Sequence, residues 1–154
     1  MIVHRPPAPW HAGGLRSVFL AGSIEQGAAD DWQTRLADAL ADREVVVVNP
    51  RRDAWDASWR QSIDEPRFRE QVEWELDGLE RVDVVAMWFA PETRAPITLL
   101  ELGLVARSGK LVVGCPDGYW RKGNVEVVCA RFGIALVGAW ESFVTAVTRA
   151  VDRS

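Results

Sequence analysis

The chain has 154 residues, nearly half of them apolar, which is one domain of ordinary size able to bury a core without disulfides or metals. A net charge of −4 argues against a nucleic-acid or other polyanion surface, while leaving room for a small anionic ligand held by local arginines. No stretch approaches a membrane span, and the N-terminal M-I-V-H-R-P-P-A-P-W lacks the apolar core of a signal peptide, so a cytoplasmic location is expected, with no membrane and no nucleic-acid polymer as partner.

Residues 1–15 hold three prolines and two glycines and read as an irregular N-terminal arm, with Trp10 available to dock on the body. Residues 16–154 read as one α/β domain. Its first strand is R-S-V-F-L, from Arg16 to Leu20. The turn A-G-S-I-E-Q-G follows, and then a helix with Trp32, Leu36 and Leu40 recurring every fourth residue. In the turn, Gly22 permits close backbone approach and Ser23 offers a hydroxyl. Together they can present polar groups to a sugar hydroxyl or a phosphate, or they satisfy the turn alone.

Next comes V-V-V-V-N-P, a continuous apolar run suited to a strand covered on both faces. The segment after it, R-R-D-A-W-D-A-S-W-R-Q-S-I-D-E, has neither helical nor strand period and is long for a connection, as functional loops are. It leaves the carboxyl end of its strand. Trp55 and Trp59 can sandwich a planar base there while Asp53 and its polar neighbours read the base edge; alternatively the two indoles bury themselves as a lid.

Pro66 opens a helix with an expected apolar stripe of Phe68, Val72, Leu76 and Leu79. Glu75 lies on that stripe, either as a carboxylate of the site or as half of an ion pair with Arg52 or Arg81. Trp74 falls on the polar side, which suggests a subunit contact or a pocket wall.

The chain is organised around Val82–Gly109. V-D-V-V-A-M-W-F reads as a central strand, A-P-E-T-R-A as a tight connection, and P-I-T-L-L-E-L-G-L-V as a helix opened by Pro96. Ile97, Thr98, Leu104 and Val105 surround Glu101 at helical spacing, so its face is expected to be buried. A buried carboxylate is either paired or kept for chemistry, and this one lies near the sheet edge where open α/β sheets bind ligands. K-L-V-V-G-C, a short helix closed by Gly133, I-A-L-V and a final amphipathic helix complete five strands alternating with helices. The expected fold is a five-stranded parallel, doubly wound sheet of flavodoxin-like order with helices on both faces.

The histidines, His4 and His11, both fall in the leader, so a Ser-His-Asp or Cys-His site within the fold is not expected. Cys115 and Cys129 have no metal-ligand spacing. Carboxylates remain as the reactive groups, which suits glycosyl transfer through an Asp or Glu nucleophile with no metal or organic cofactor.

From V-F-L-A-G-S-I-E through N-P-R-R-D and D-V-V-A-M-W-F to L-L-E-L-G-L and G-N-V-E, the chain resembles the nucleoside 2-deoxyribosyltransferase superfamily. The resemblance implies a double displacement at the anomeric carbon, with Glu101 as the nucleophile that forms a glycosyl-enzyme. Glu75, eight residues before Asp83, matches a family Asp that assists protonation of the base. Asn124 matches an Asn contributed by a neighbouring subunit, which implies a homodimer or larger homo-oligomer. The chain departs from the pattern at Ala95, near the place of a family Asp, and at Glu25 and Gln26, where related nucleotide hydrolases carry a basic residue and glycines. A carboxylate at Glu25 would repel a 5′-phosphate, which favours a free nucleoside. The expected activity is therefore cleavage of a (deoxy)nucleoside with transfer of its sugar to another base or to water. The alternatives are a 5′-monophosphate N-glycosidase and a non-catalytic nucleoside-sensing module.

Overall fold

A computed structural model describes residues 1–24, 30–52 and 56–153. The strands are β1 (Ile2–His4), β2 (Arg16–Gly22), β3 (Val45–Val48), β4 (Val84–Trp88), β5 (Leu111–Gly114) and β6 (Ala135–Val137). They form one parallel sheet of order β1-β3-β2-β4-β5-β6. The helices are α1 (Trp32–Ala39), α2 (Pro66–Arg81), α3 (Pro96–Val105), α4 (Lys122–Phe132) and α5 (Trp140–Val151).

Strands β2 to β6 follow the expected flavodoxin-like order, and the sheet has a sixth member that the sequence reading assigned to an irregular arm. Three residues with half-exposed side chains carry no readable period. The strand exists because β3 would otherwise offer a bare row of peptide groups. Ile2, Val3 and His4 pair with Val46, Val47 and Val48, and the Asn49 amide donates to the His4 carbonyl at 2.9 Å. His4 thus belongs to the sheet and not to a loose leader. Trp10 docks as expected, 3% exposed within the core.

The inner strands β2 to β5 are buried on both faces, which their apolar composition requires. On one face Phe19, Val46, Val48, Val85 and Met87 pack against α2, α3, α4 and the arm. On the other, Val18, Leu20, Val45 and Val47 pack against Trp32 and Leu36 of α1 and Phe143 and Val147 of α5. Asp31 caps α1, its carboxylate accepting from the Thr34 amide at 3.0 Å. Gly133, at φ 65°, closes α4 with its amide bonded to the helix.

Helix α2 is rotated from the expected orientation. Its buried residues are Gln71, Trp74, Gly78 and Leu79, whereas Leu76 is 39% exposed. Trp74 is a core residue, correcting its placement on a polar outer face. Its ring lies 6.3 Å from that of Phe19, and its indole N–H donates to the Ala8 carbonyl at 2.8 Å. Gly78 explains the rotation, because a Cβ there would lie 2.5 Å from the Phe19 ring. The helix turns its bare backbone, not its apolar maximum, to the largest residue of β2.

Candidate active site

In a parallel sheet all the carboxyl ends share one edge, and here that edge carries Gly22, Asn49, Trp88 and Cys115 together with the starts of α2, α3 and α4. The β2 turn is built into this edge. Gly22 adopts φ 153°, and a Cβ on it would fall 2.3 Å from the Trp88 carbonyl oxygen and 2.6 Å from Trp32 Cζ2. Only glycine fits between a strand carbonyl and that indole.

Ser23 is 1% exposed, and its polar groups are engaged within the fold. Its amide donates to the Trp88 carbonyl at 3.1 Å, and its carbonyl accepts from Trp32 Nε1 at 3.1 Å. Its hydroxyl accepts from the Ala90 amide at 3.1 Å and lies 2.7 Å from Thr93 Oγ1. Thr93 Oγ1 donates to the Ala90 carbonyl at 2.8 Å, so Ser23 is the donor in the pair of hydroxyls. Ser23 and Thr93 thereby lock the β2 turn to the connection between β4 and α3. That connection is strained: Glu92 at φ 61° and Ala95 at φ 43° are left-handed without being glycine. The sequence reading did not single out Thr93, although a hydroxyl residue in a two-proline turn is the available signal.

Glu101 lies on the inward face of α3 with Thr98, Leu102 and Val105, and is 8% exposed. Of the four apolar neighbours expected around it, Thr98 and Val105 are buried, while Ile97 and Leu104 are each 59% exposed. The helix is apolar on both sides, so burial of Glu101 is set by packing on the sheet. Among the described residues it makes no ion pair. Glu75 reaches the same region from α2, and its Oε1 accepts from Gln71 Nε2 at 2.8 Å. The two alternatives for Glu75 were a site carboxylate or an ion pair. The basic candidates are engaged elsewhere: Arg52 contacts Glu70 at 3.5 Å and Arg81 stacks over the Trp10 ring at 4.6 Å.

Both carboxyl groups are shifted in the same direction. Burial raises Glu101, the nearby Glu75 charge adds to the rise, and it reaches about 8 against an ordinary 4.5. Burial also raises Glu75, to about 7, with the Gln71 N–H pulling the other way. The groups titrate as a pair, so near neutral pH the site holds a proton beside a carboxylate. One group able to donate and one able to attack is the minimum equipment for acid-assisted displacement.

The other predicted positions are distributed along the same edge. Trp59 is half-buried, with the Arg52 guanidinium 5.0 Å and that of Arg67 5.9 Å from its ring centre. Asp53 and Trp55 lie outside the described residues, as do Glu25 and Gln26. Asn124 is exposed in the first turn of α4. The loop before it is braced on the β4–α3 connection, Tyr119 Oη and Trp120 Nε1 both donating to the Arg94 carbonyl at 2.9 and 3.0 Å. Glu75 and Glu101 lie near enough to interact, Gly22 and Ser23 close the end of β2 against Trp88 and Thr93, and Asn124 is exposed. Sequence reasoning also missed two donors where α1 meets β3: Gln33 Nε2 and Asn49 Nδ2 are buried without an acceptor among the described residues. A ligand or water oxygen would satisfy them. Cys115 and Cys129 are buried free thiols, each raised to about 11 by desolvation, which makes them poor nucleophiles. No group of three or more His, Cys, Asp or Glu among the described residues is placed to hold a metal ion. Nor is any described helix long and apolar enough to cross a membrane.

An open parallel sheet with helices on both faces defines the class: a doubly wound α/β protein, a fold whose strand ends are where ligands generally bind. A family model described as nucleoside 2-deoxyribosyltransferase like matches residues 15–119, and the chain belongs to that family. The fold is shared with a crystal structure of a conserved protein from Enterococcus faecalis V583, at a TM-score of 0.63 and 12% identity, covering 88% of this chain and 98% of that one. No curated protein matches the sequence.

Proposed function

We propose that the protein cleaves the N-glycosidic bond of a (deoxy)nucleoside by double displacement and passes the sugar to a second base or to water. The observation that carries this reading is a pair of neighbouring desolvated carboxyl groups, buried Glu101 and half-buried Glu75, with no cation among the described residues paired to either of them. Glu101, with the higher value of the two, holds the shared proton at rest; its transfer to Glu75 gives the reactive form, in which an oxygen of the Glu101 carboxylate attacks the anomeric carbon. As that C–O bond forms, the C–N bond breaks, its electron pair leaves with the base, and the base takes a proton from Glu75. Glu75, now ionised, removes a proton from the incoming base or water, which attacks the same carbon and releases the Glu101 carboxylate. A retaining pair of this kind works at a separation of about 5–5.5 Å. Burial strengthens the attraction between the Glu101 carboxylate and the positive charge that develops on the sugar.

In this reading Gly22 and Ser23 shape the sugar side, Ser23 through its remaining lone pair and the turn it holds. Trp59 with Asp53 and Trp55 forms the base side. Asn124 faces the sugar of a neighbouring subunit in a cytoplasmic homodimer or larger assembly. The outward side of α3 supports such an assembly: Ile97, Leu100 and Leu104 are each 59% exposed, and Val127 of α4 is 72% exposed.

The test is intact-protein mass spectrometry after incubation with pooled nucleosides and 5′-nucleotides. Wild type should gain the mass of a pentosyl group, with no phosphate, and Glu101→Ala should gain none and release no base. Base release by Glu101→Ala at the wild-type rate would overturn the assignment.

A further inference from the structure

The residue that governs Glu75 was in none of the expected motifs. Gln71 lies one turn before Glu75 on α2, is 4% exposed, and uses the whole of its amide. Its nitrogen donates to the Pro50 carbonyl at 3.0 Å and to Glu75 Oε1 at 2.8 Å. Its oxygen accepts from Arg52 Nη1 at 3.5 Å. The amide has one sensible orientation, because a flip would set its oxygen against a carbonyl and a carboxylate and its NH2 against a guanidinium.

We infer that Gln71 is a positioning residue for the displacement: it fixes which oxygen of Glu75 carries the proton and ties that carboxyl group to the loop leaving β3. With Oε1 accepting an N–H, the proton of the acid form resides on Oε2, the oxygen left to face the leaving base. Arg52 polarises the amide from behind and strengthens the N–H bond. The charged groups around Glu75 are Glu101 from α3, which disfavours its ionised form, and Arg52 from the β3 loop, which reaches it only through Gln71 and is itself paired with Glu70 at 3.5 Å. This inference rests on the glycosyl-transfer reading.

The experiment compares single-turnover base release from 2′-deoxyadenosine with the single-turnover release of phenolate from p-nitrophenyl 2-deoxyribofuranoside, whose leaving group departs without a proton; both read the first displacement alone, before Glu75 acts as a base. Gln71→Met removes the donor at similar volume. Gln71→Leu removes the donor with a different apolar shape and serves if the first variant folds poorly. Either variant should slow the nucleoside about tenfold or more, a share of the roughly 10²–10⁴ a general acid supplies, and leave the nitrophenyl glycoside within about threefold. In a Glu75→Gln background, Gln71→Met should have no further effect on the nucleoside. Equal slowing of both substrates, or an undiminished effect in the Glu75→Gln background, would overturn the role of Gln71 while the displacement itself stands. Wild type that is inert towards both substrates and gains no pentosyl mass from the pooled nucleosides and nucleotides would remove the glycosyl-transfer reading, and this inference with it.

Discussion

Replacing Glu101 with Gln turns the burial of a carboxyl group into a measurable change in stability. In the unfolded chain Glu101 ionises near 4.5; in the fold it does so at about 8. Between those values the folded state keeps a proton that the unfolded state has released, so stability falls as pH rises through the window and levels off above about 8. At ~1.4 kcal/mol per pH unit, the interval from 4.5 to about 8 corresponds to about 5 kcal/mol, a large part of the roughly 5–15 kcal/mol that holds a domain together. Gln has the same shape and no charge to desolvate, and it removes the repulsion with Glu75 as well. Its own pH-independent cost cancels when one pH is compared with another. Urea unfolding of both proteins from pH 4.5 to 9 gives the difference directly. Glu101→Gln should gain on wild type by about 4–5 kcal/mol across that range, nearly all of it below pH 8. Parallel curves, with a difference constant to within about 0.5 kcal/mol, would mean that the carboxylate is solvated or neutralised, and the argument for a poised site would fail with it.

Other changes test the scaffold and the assembly. Gly22→Ala forces a methyl against the Trp88 carbonyl and the Trp32 ring, and should lower stability by at least about 2 kcal/mol, seen as a Tm lower by roughly 4–8 °C. An unchanged Tm would show that the turn has slack. Trp74→Phe keeps an aromatic ring but loses the bond to the Ala8 carbonyl, so at a global cost of about 1 kcal/mol or more, amide exchange in residues 2–9 should quicken first. Leu100→Asp places a charge in the exposed stripe of α3 and should convert the proposed dimer to monomer in sedimentation, with its Tm within about 2 °C of wild type. A dimer that persists would move the interface elsewhere.

Local order was legible in the residues themselves. A run of four valines between Glu44 and Asn49 can only be a strand covered on both sides, Pro96 opens a helix, and Gly133 closes one. Period and punctuation are short-range properties, so β2 to β6, the five helices and the address of Glu101 followed from the chain alone. The motifs around E-L-G carried the family in the same way, because each keeps its spacing within a single strand-to-helix unit.

What the sequence alone could not give depends on neighbours distant in the chain. β1 exists only because β3 has an open edge, and Trp74 is interior because Gly78 lets Phe19 come close. Ser23 reads as a free hydroxyl until Thr93 and Ala90, about seventy residues on, engage it. Gln71 reads as a surface amide until Pro50, Arg52 and Glu75 surround it. Hydrophobic pattern ranks residues by the water they avoid, and it is blind to a buried amide or a bare glycine face. The sequence by itself determined β2 to β6, the five helices and the inward place of the acid at position 101. Tertiary structure decided which polar groups are spent holding the rim together and which carboxyl groups remain unneutralised, because that depends on partners the chain brings together only by folding.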